Sequence, residues 1–187
     1  MYSQVARWTK EFKNLFTEVS KVFIPINYTN FHWALCVVFV QEKHIVYLDS
    51  MGNGDSKNVL NAILLFLDVY AKEKGIPKFD ANQWKTSIIK SPQQTNNYDC
   101  GMFMLTNMSF LLDNLKLNYS QKNMPELRYS VAEMILDKGF NYSMQTLPNN
   151  LSQYELREIQ HDIHSVRHGE PEGQARVIDT LDLVTPP

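Results

Sequence analysis

Apolar positions along the 187-residue chain change their period several times, and each change marks an element. Val5, Trp8, Phe12 and Phe16 recur at spacings of three and four, which predicts an amphipathic helix over 2–16, broken near Lys13. Positions 22–26 form a short β-prone run in which Pro25 points to an edge strand, because proline has no N–H to donate to a ladder. Asn27 to Asn30 predicts a turn. Positions 33–40 are continuously apolar and rich in β-branched residues, the pattern of a central strand covered on both faces. After the polar Gln41-Glu42-Lys43, positions 44–48 return as a second strand, and the two predict an antiparallel hairpin.

Two glycines make 49–55 a loop. Helical spacing then returns over 56–74, with Val59, Leu60, Ile63, Leu64, Leu67 and Tyr70 on one face and Gly75 and Pro77 as the stop. A further strand is predicted at 84–89, followed by a polar loop over 92–99. Positions 100–115 begin almost wholly apolar, which predicts a buried central helix. Pro125 opens one more helix, carrying Leu127, Val131, Met134, Ile135 and Leu136 and ending at Gly139. From Asn141 the composition turns to Asn, Gln, Ser and Pro. Leu156, Ile159, Ile163 and Val166 predict an amphipathic helix, and 169–187 reads as a loose, polar terminus.

Composition narrows the class without naming a chemistry. The length favours one domain with a proper core, and 44% hydrophobic with 20% charged residues is ordinary for a globular protein. A formal net charge of −2 argues against a nucleic-acid binder, which would show a basic excess. No N-terminal signal peptide is visible, and the apolar runs are too short to span a membrane. Cys36 and Cys100 do not make a disulfide framework and suit a reducing interior. The expectation is an intracellular monomer of the nucleus or cytoplasm.

The candidate chemistry centres on Cys100. It closes a turn-prone run and opens a helical one, where unpaired backbone N–H groups and the helix dipole favour a thiolate. A free cysteine alone is usually just a small buried hydrophobe, which is how Cys36 reads. Here Gly101 removes bulk beside the thiol. Gln94 offers a side-chain N–H₂ that, with the Cys100 backbone N–H, would make an oxyanion hole. His32 precedes a strand whose hairpin partner ends in Asp49, and antiparallel pairing brings such positions together. A carboxylate there holds an imidazole in its useful tautomer. Trp33 reads equally as core or as a flat wall over a substrate backbone. His161, His164 and His168 share helical spacing, but a solvated face suits them better than a metal site. No cofactor and no metal are expected.

Three blocks then carry a resemblance: His32-Trp33-Ala34-Leu35-Cys36-Val37-Val38, Tyr47-Leu48-Asp49-Ser50-Met51-Gly52, and the run from Pro92 through Asp99-Cys100-Gly101 to Phe103. They resemble the SUMO-specific cysteine proteases of the Ulp/sentrin-specific family, with weaker similarity through Gln121-Lys122-Asn123-Met124-Pro125 to about Phe140. The resemblance implies an α+β, papain-like fold with a mixed sheet flanked by helices. It implies Cys100 as nucleophile, His32 as general base, Asp49 as its orienter and Gln94 as oxyanion donor. Trp33 becomes the cover of a narrow tunnel that admits only a Gly-Gly tail. The implied partner is SUMO or a related ubiquitin-like modifier and its conjugates, cut at an isopeptide or precursor peptide bond. The spacing from Gln94 to Cys100 is more like the SUMO branch than the NEDD8-directed branch. The family segment that precedes the equivalent of Tyr2 has no counterpart, so the implied organisation is an N-terminally abbreviated catalytic domain over 1–140 and a polar tail over 141–187. The alternative is a catalytically weak or inactive modifier-binding module on the same fold. Trp33 and the Asp49-Ser50-Met51-Gly52 block argue against adenoviral-type proteases and acyltransferases.

Overall fold

The computed structural model describes residues 6–52, 54–77, 79–136, 175–177 and 181–182. Its centre is strand β2 (His32–Phe39), flanked by β1 (Lys21–Tyr28) and β3 (His44–Leu48), both antiparallel to it. Strand β4 (Lys85–Ile88) adds parallel to β3 at one edge. Beyond β1, two short segments, β5 (Ala175–Val177) and β6 (Leu181–Asp182), add parallel to it. The sheet order is β4-β3-β2-β1-β5, with β6 also on β1. The sheet is therefore mixed, as expected.

The pleat explains the unbroken apolar run of β2. Ala34, Cys36, Val38 and Val40 face one layer, where helix α2 (Ser56–Glu73) buries Val59, Ile63, Leu67 and Tyr70. Leu35, Val37 and Phe39 face the other, against helix α3 (Cys100–Leu112) and the start of helix α4 (Met124–Leu136). Because β2 carries apolar groups on both faces, only a position between two layers buries them all. Cys36 is fully enclosed there, and burial pushes its thiol far above the ordinary range. It is an inert core residue.

Several sequence expectations shift. In place of one helix over 2–16 there is a 3₁₀ turn at Ala6–Thr9 and a single α-helical turn, α1 (Leu15–Glu18). Asn14 restarts the chain by accepting a hydrogen bond from the Phe16 N–H at 3.0 Å, a side-chain cap that interrupts a continuous helix. Strand β1 is not an edge strand. Pro25 is tolerated because β5 pairs with 21–23 and β6 with 26–27, so the missing N–H falls between them. Thr29 and Asn30, both with positive φ, turn β1 into β2, and the Phe31 N–H closes the turn on the Tyr28 carbonyl. The 175–177 and 181–182 segments are strands where a loose terminus was expected. The amphipathic stretch around Leu156 and the histidines of the tail lie outside the described residues. None of the described helices is long and apolar enough to cross a membrane.

Helix α3 ends sooner than its apolar pattern, at Leu112, where Asn114 takes a positive φ. The buried Lys21 ammonium from β1 donates to the Leu111 carbonyl at 2.7 Å and to Asn114 Oδ1 at 2.7 Å. A cation thus satisfies the carbonyl end of the helix whose other end bears Cys100. Lys21→Met keeps the stem but removes this cap. It is expected to lower stability by about 1–2 kcal/mol, read as a reduced urea midpoint with an unchanged slope.

Candidate active site

The β1–β2 turn delivers His32 at the first position of β2, and the hairpin partner β3 ends one residue before Asp49. The two side chains meet: His32 Nε2 lies 2.7 Å from Asp49 Oδ1, and both residues are buried. Burial alone would push the Asp49 carboxyl up. Hydrogen bonds from His32 and from the Met51 and Gly54 N–H groups, with the His32 charge, outweigh it and hold the group down at about 2. An ionised carboxylate only accepts, so Nε2 carries the hydrogen. Nδ1 is buried and without a hydrogen-bond partner among the described residues. Tyr28 stacks on the imidazole at 6.1 Å with planes 17° apart.

Asp49 is held on every side. The Met51 N–H donates to Oδ1 at 2.8 Å, an Asx-type turn, while the Gly54 N–H at 2.9 Å and the Tyr47 hydroxyl at 3.2 Å donate to Oδ2. Tyr47 is in turn 2.9 Å from the Tyr28 hydroxyl. A Cβ at Gly54 would collide with the Tyr47 hydroxyl and sit 2.7 Å from Asp49 Oδ2. Glycine is needed there for close approach of the backbone to the carboxylate.

The loop before Cys100 is stitched to the end of β3. The Gln94 N–H donates to the Ser50 carbonyl at 2.9 Å, and Ser91 Oγ and Gln93 Nε2 both donate to the Asp49 carbonyl, at 3.1 and 2.9 Å. The Gln94 side chain is fixed at both ends, accepting from Ser50 Oγ at 2.6 Å and donating to the Asn96 carbonyl at 2.6 Å. Cys100 is buried at the first position of α3. It meets the hairpin side through its neighbour: a Cβ on Gly101 would lie 3.8 Å from Trp33 Cδ1, with Trp33 packed against the α3 core. Of the residues singled out in the sequence, His32 is thus joined to Asp49, Gln94 is tied to the segment that follows Asp49, and Trp33 lies against the start of α3.

Sequence reasoning missed the clamp on the other flank of the thiol. Asp99 is buried beside Cys100 and accepts hydrogen bonds from Asn96 Nδ2 and Gln121 Nε2, each at 2.6 Å, and from Arg128 through Nε at 3.0 Å and through Nη2. Burial would raise its carboxyl, but these donors bring it below the ordinary carboxylate range. Gln121 also accepts from the Thr95 N–H at 3.0 Å, so the 3₁₀ turn before α4 braces the whole loop. Nothing local pairs Asp99 with a residue 29 positions later. Only the similarity around Gln121 hinted that this region mattered. Among the described residues no group of three or more His, Cys, Asp or Glu side chains is placed to hold a metal ion.

The chain finds matches among known proteins. Residues 1–140 match the model of the Ulp1 protease family, C-terminal catalytic domain. The chain belongs to this family. The ubiquitin-like-specific protease ESD4 of Arabidopsis thaliana is 38% identical over 138 residues, 72% of this chain and 28% of that protein. The ubiquitin-like-specific protease 1 of Saccharomyces cerevisiae is 32% identical over 135 residues, 72% of this chain and 21% of that protein. Among solved structures, the C-terminal Ulp1 protease domain in complex with Smt3, the yeast ortholog of SUMO, superimposes with a TM-score of 0.62 at 32% identity, covering 73% of this chain and 61% of that one. This chain therefore spans less than half of the curated relatives it matches. Its fold is that of the Ulp1 protease domains.

Two outcomes test the site. Arg128→Ala leaves a buried carboxylate short of its strongest donor. It is expected to cost about 2 kcal/mol, checked by urea denaturation. The second concerns acid. Asp49 falls from an ordinary 3.8 to about 2 in the folded protein, so its contribution is present above about pH 4 and lost as pH falls toward 2. Asp49→Asn is expected to lose stability less steeply across that window than the native chain, read from urea midpoints at successive pH values.

Proposed function

We propose that the chain is a cysteine protease that cuts after the C-terminal diglycine of SUMO or a related ubiquitin-like modifier. The observation that carries this reading is the 2.7 Å His32–Asp49 hydrogen bond, which leaves Nδ1 without a hydrogen-bond partner among the described residues, in a family of cysteine proteases. His32 Nδ1 takes the proton of the Cys100 thiol, and the thiolate attacks the carbonyl carbon of the terminal glycine. The oxyanion is received by the Cys100 backbone N–H and the Gln94 carboxamide. Collapse expels an amine, a lysine side chain or a peptide N-terminus, which takes the proton from His32. Water, deprotonated by His32, then hydrolyses the thioester and returns the free thiol and the modifier carboxylate.

Trp33 serves as the cover over the diglycine. It is half-buried and lies against Gly101, so a substrate strand passing beside the thiol runs under its indole. A side chain at either glycine would collide with such a cover. The relatives named for ubiquitin-like modifiers, and the solved domain bound to Smt3, support the substrate class.

The test is covalent capture by SUMO and by NEDD8 carrying a C-terminal electrophile. SUMO is expected to form an adduct that Cys100→Ala abolishes and Trp33→Ala slows severalfold, with NEDD8 unreactive. A folded native chain that captures neither would point instead to a modifier-binding module.

A further inference from the structure

Ser50 follows Asp49 at the end of β3 and is buried, with 3% of its surface exposed. Its backbone carbonyl already holds the Gln94 N–H, and the Asp49 carbonyl takes Ser91 Oγ and Gln93 Nε2. The loop is thus docked on the strand without the serine hydroxyl. That hydroxyl instead donates to Gln94 Oε1 at 2.6 Å.

We propose that Ser50 is the positioning residue that keeps the N–H₂ end of the Gln94 carboxamide turned toward the reacting carbonyl. The proposal rests on the reading of Gln94 as oxyanion donor. The two ends of a carboxamide are nearly equal in size, so packing does not choose between them. Hydrogen bonding does. The Asn96 carbonyl can only accept, so it demands the N–H₂ end, taken at 2.6 Å. Ser50 satisfies the oxygen on the opposite side. Between them they use one of the two amide hydrogens and the oxygen, and the remaining N–H makes no hydrogen bond among the described residues. A preorganised donor of this kind stabilises an oxyanion because it need not reorient during reaction. Without the hydroxyl, the part-buried Oε1 loses the side-chain donor that holds it and the carboxamide is free to swing away.

The experiment is on the full chain, comparing the native protein with Ser50→Ala, Gln94→Ala and the double variant. Side-chain amide NMR signals of Gln94, assigned by their loss in Gln94→Ala, report the positioning directly. Turnover of SUMO bearing a C-terminal coumarin amide reports its use. In Ser50→Ala the Gln94 amide signals are expected to collapse toward averaged shifts. The kcat is expected to fall about tenfold with KM unchanged, and the double variant to lose no more than Gln94→Ala. Unaltered Gln94 signals in Ser50→Ala, or additive losses in the double variant, would overturn the role of Ser50 while native turnover leaves the protease reading standing. Absence of any Cys100-dependent turnover by the native chain would overturn both.

Discussion

Everything at the site depends on one carboxylate being ionised while buried. Asp49 achieves this with four donors: the His32 ring, the Tyr47 hydroxyl and the backbone N–H groups of Met51 and Gly54. A buried charge without such partners would protonate or unfold its surroundings. With them, it fixes Nε2 as the His32 nitrogen that donates to it and leaves Nδ1 facing elsewhere. The tightness of the loop follows from the same demand, since the Gly54 backbone must approach within 2.9 Å of the carboxylate.

The sheet converts that local arrangement into a shared frame. Strand β3 ends at Leu48 and runs directly into Asp49 and Ser50, and the segment after β4 continues alongside them through Ser91, Gln93 and Gln94. The Asp49 carboxylate and Gln94 therefore sit on one shared edge. Cys100 arrives from the other direction, on a helix whose far end is capped by Lys21 and whose near end is braced by Asp99, Gln121 and Arg128. The helix and the sheet edge meet beside Trp33.

The Asp99 cluster also shows how a fold manages charge next to a candidate nucleophile. A bare carboxylate buried at this point would carry the full desolvation cost of its charge. The Arg128 guanidinium answers that charge with a two-point contact, while two side-chain amides fill the remaining lone pairs. The cost of burying Asp99 is thus offset by a geometry that also immobilises the loop carrying Gln94.

The sequence by itself determined the strands and helices that carry the site. The unbroken apolar run of β2, the hairpin to Asp49 and the apolar start of α3 are consequences of burial periodicity, which is local. It also drew attention to His32, Asp49 and Cys100 at strand or helix termini, while Gln94 and Trp33 gained their roles through the family resemblance of the blocks around them. Tertiary structure alone decided which carbonyls, hydroxyls and guanidinium groups hold them. Pro25 lies inside the sheet because two separate strands pass on either side of it, and no window of sequence contains that fact. Gly54 is required by the tyrosine hydroxyls and carboxylate it faces, and Arg128 reaches Asp99 across 29 positions. Hydrogen-bond partners are chosen by proximity in space, and the chain reveals that only after its apolar layers have packed.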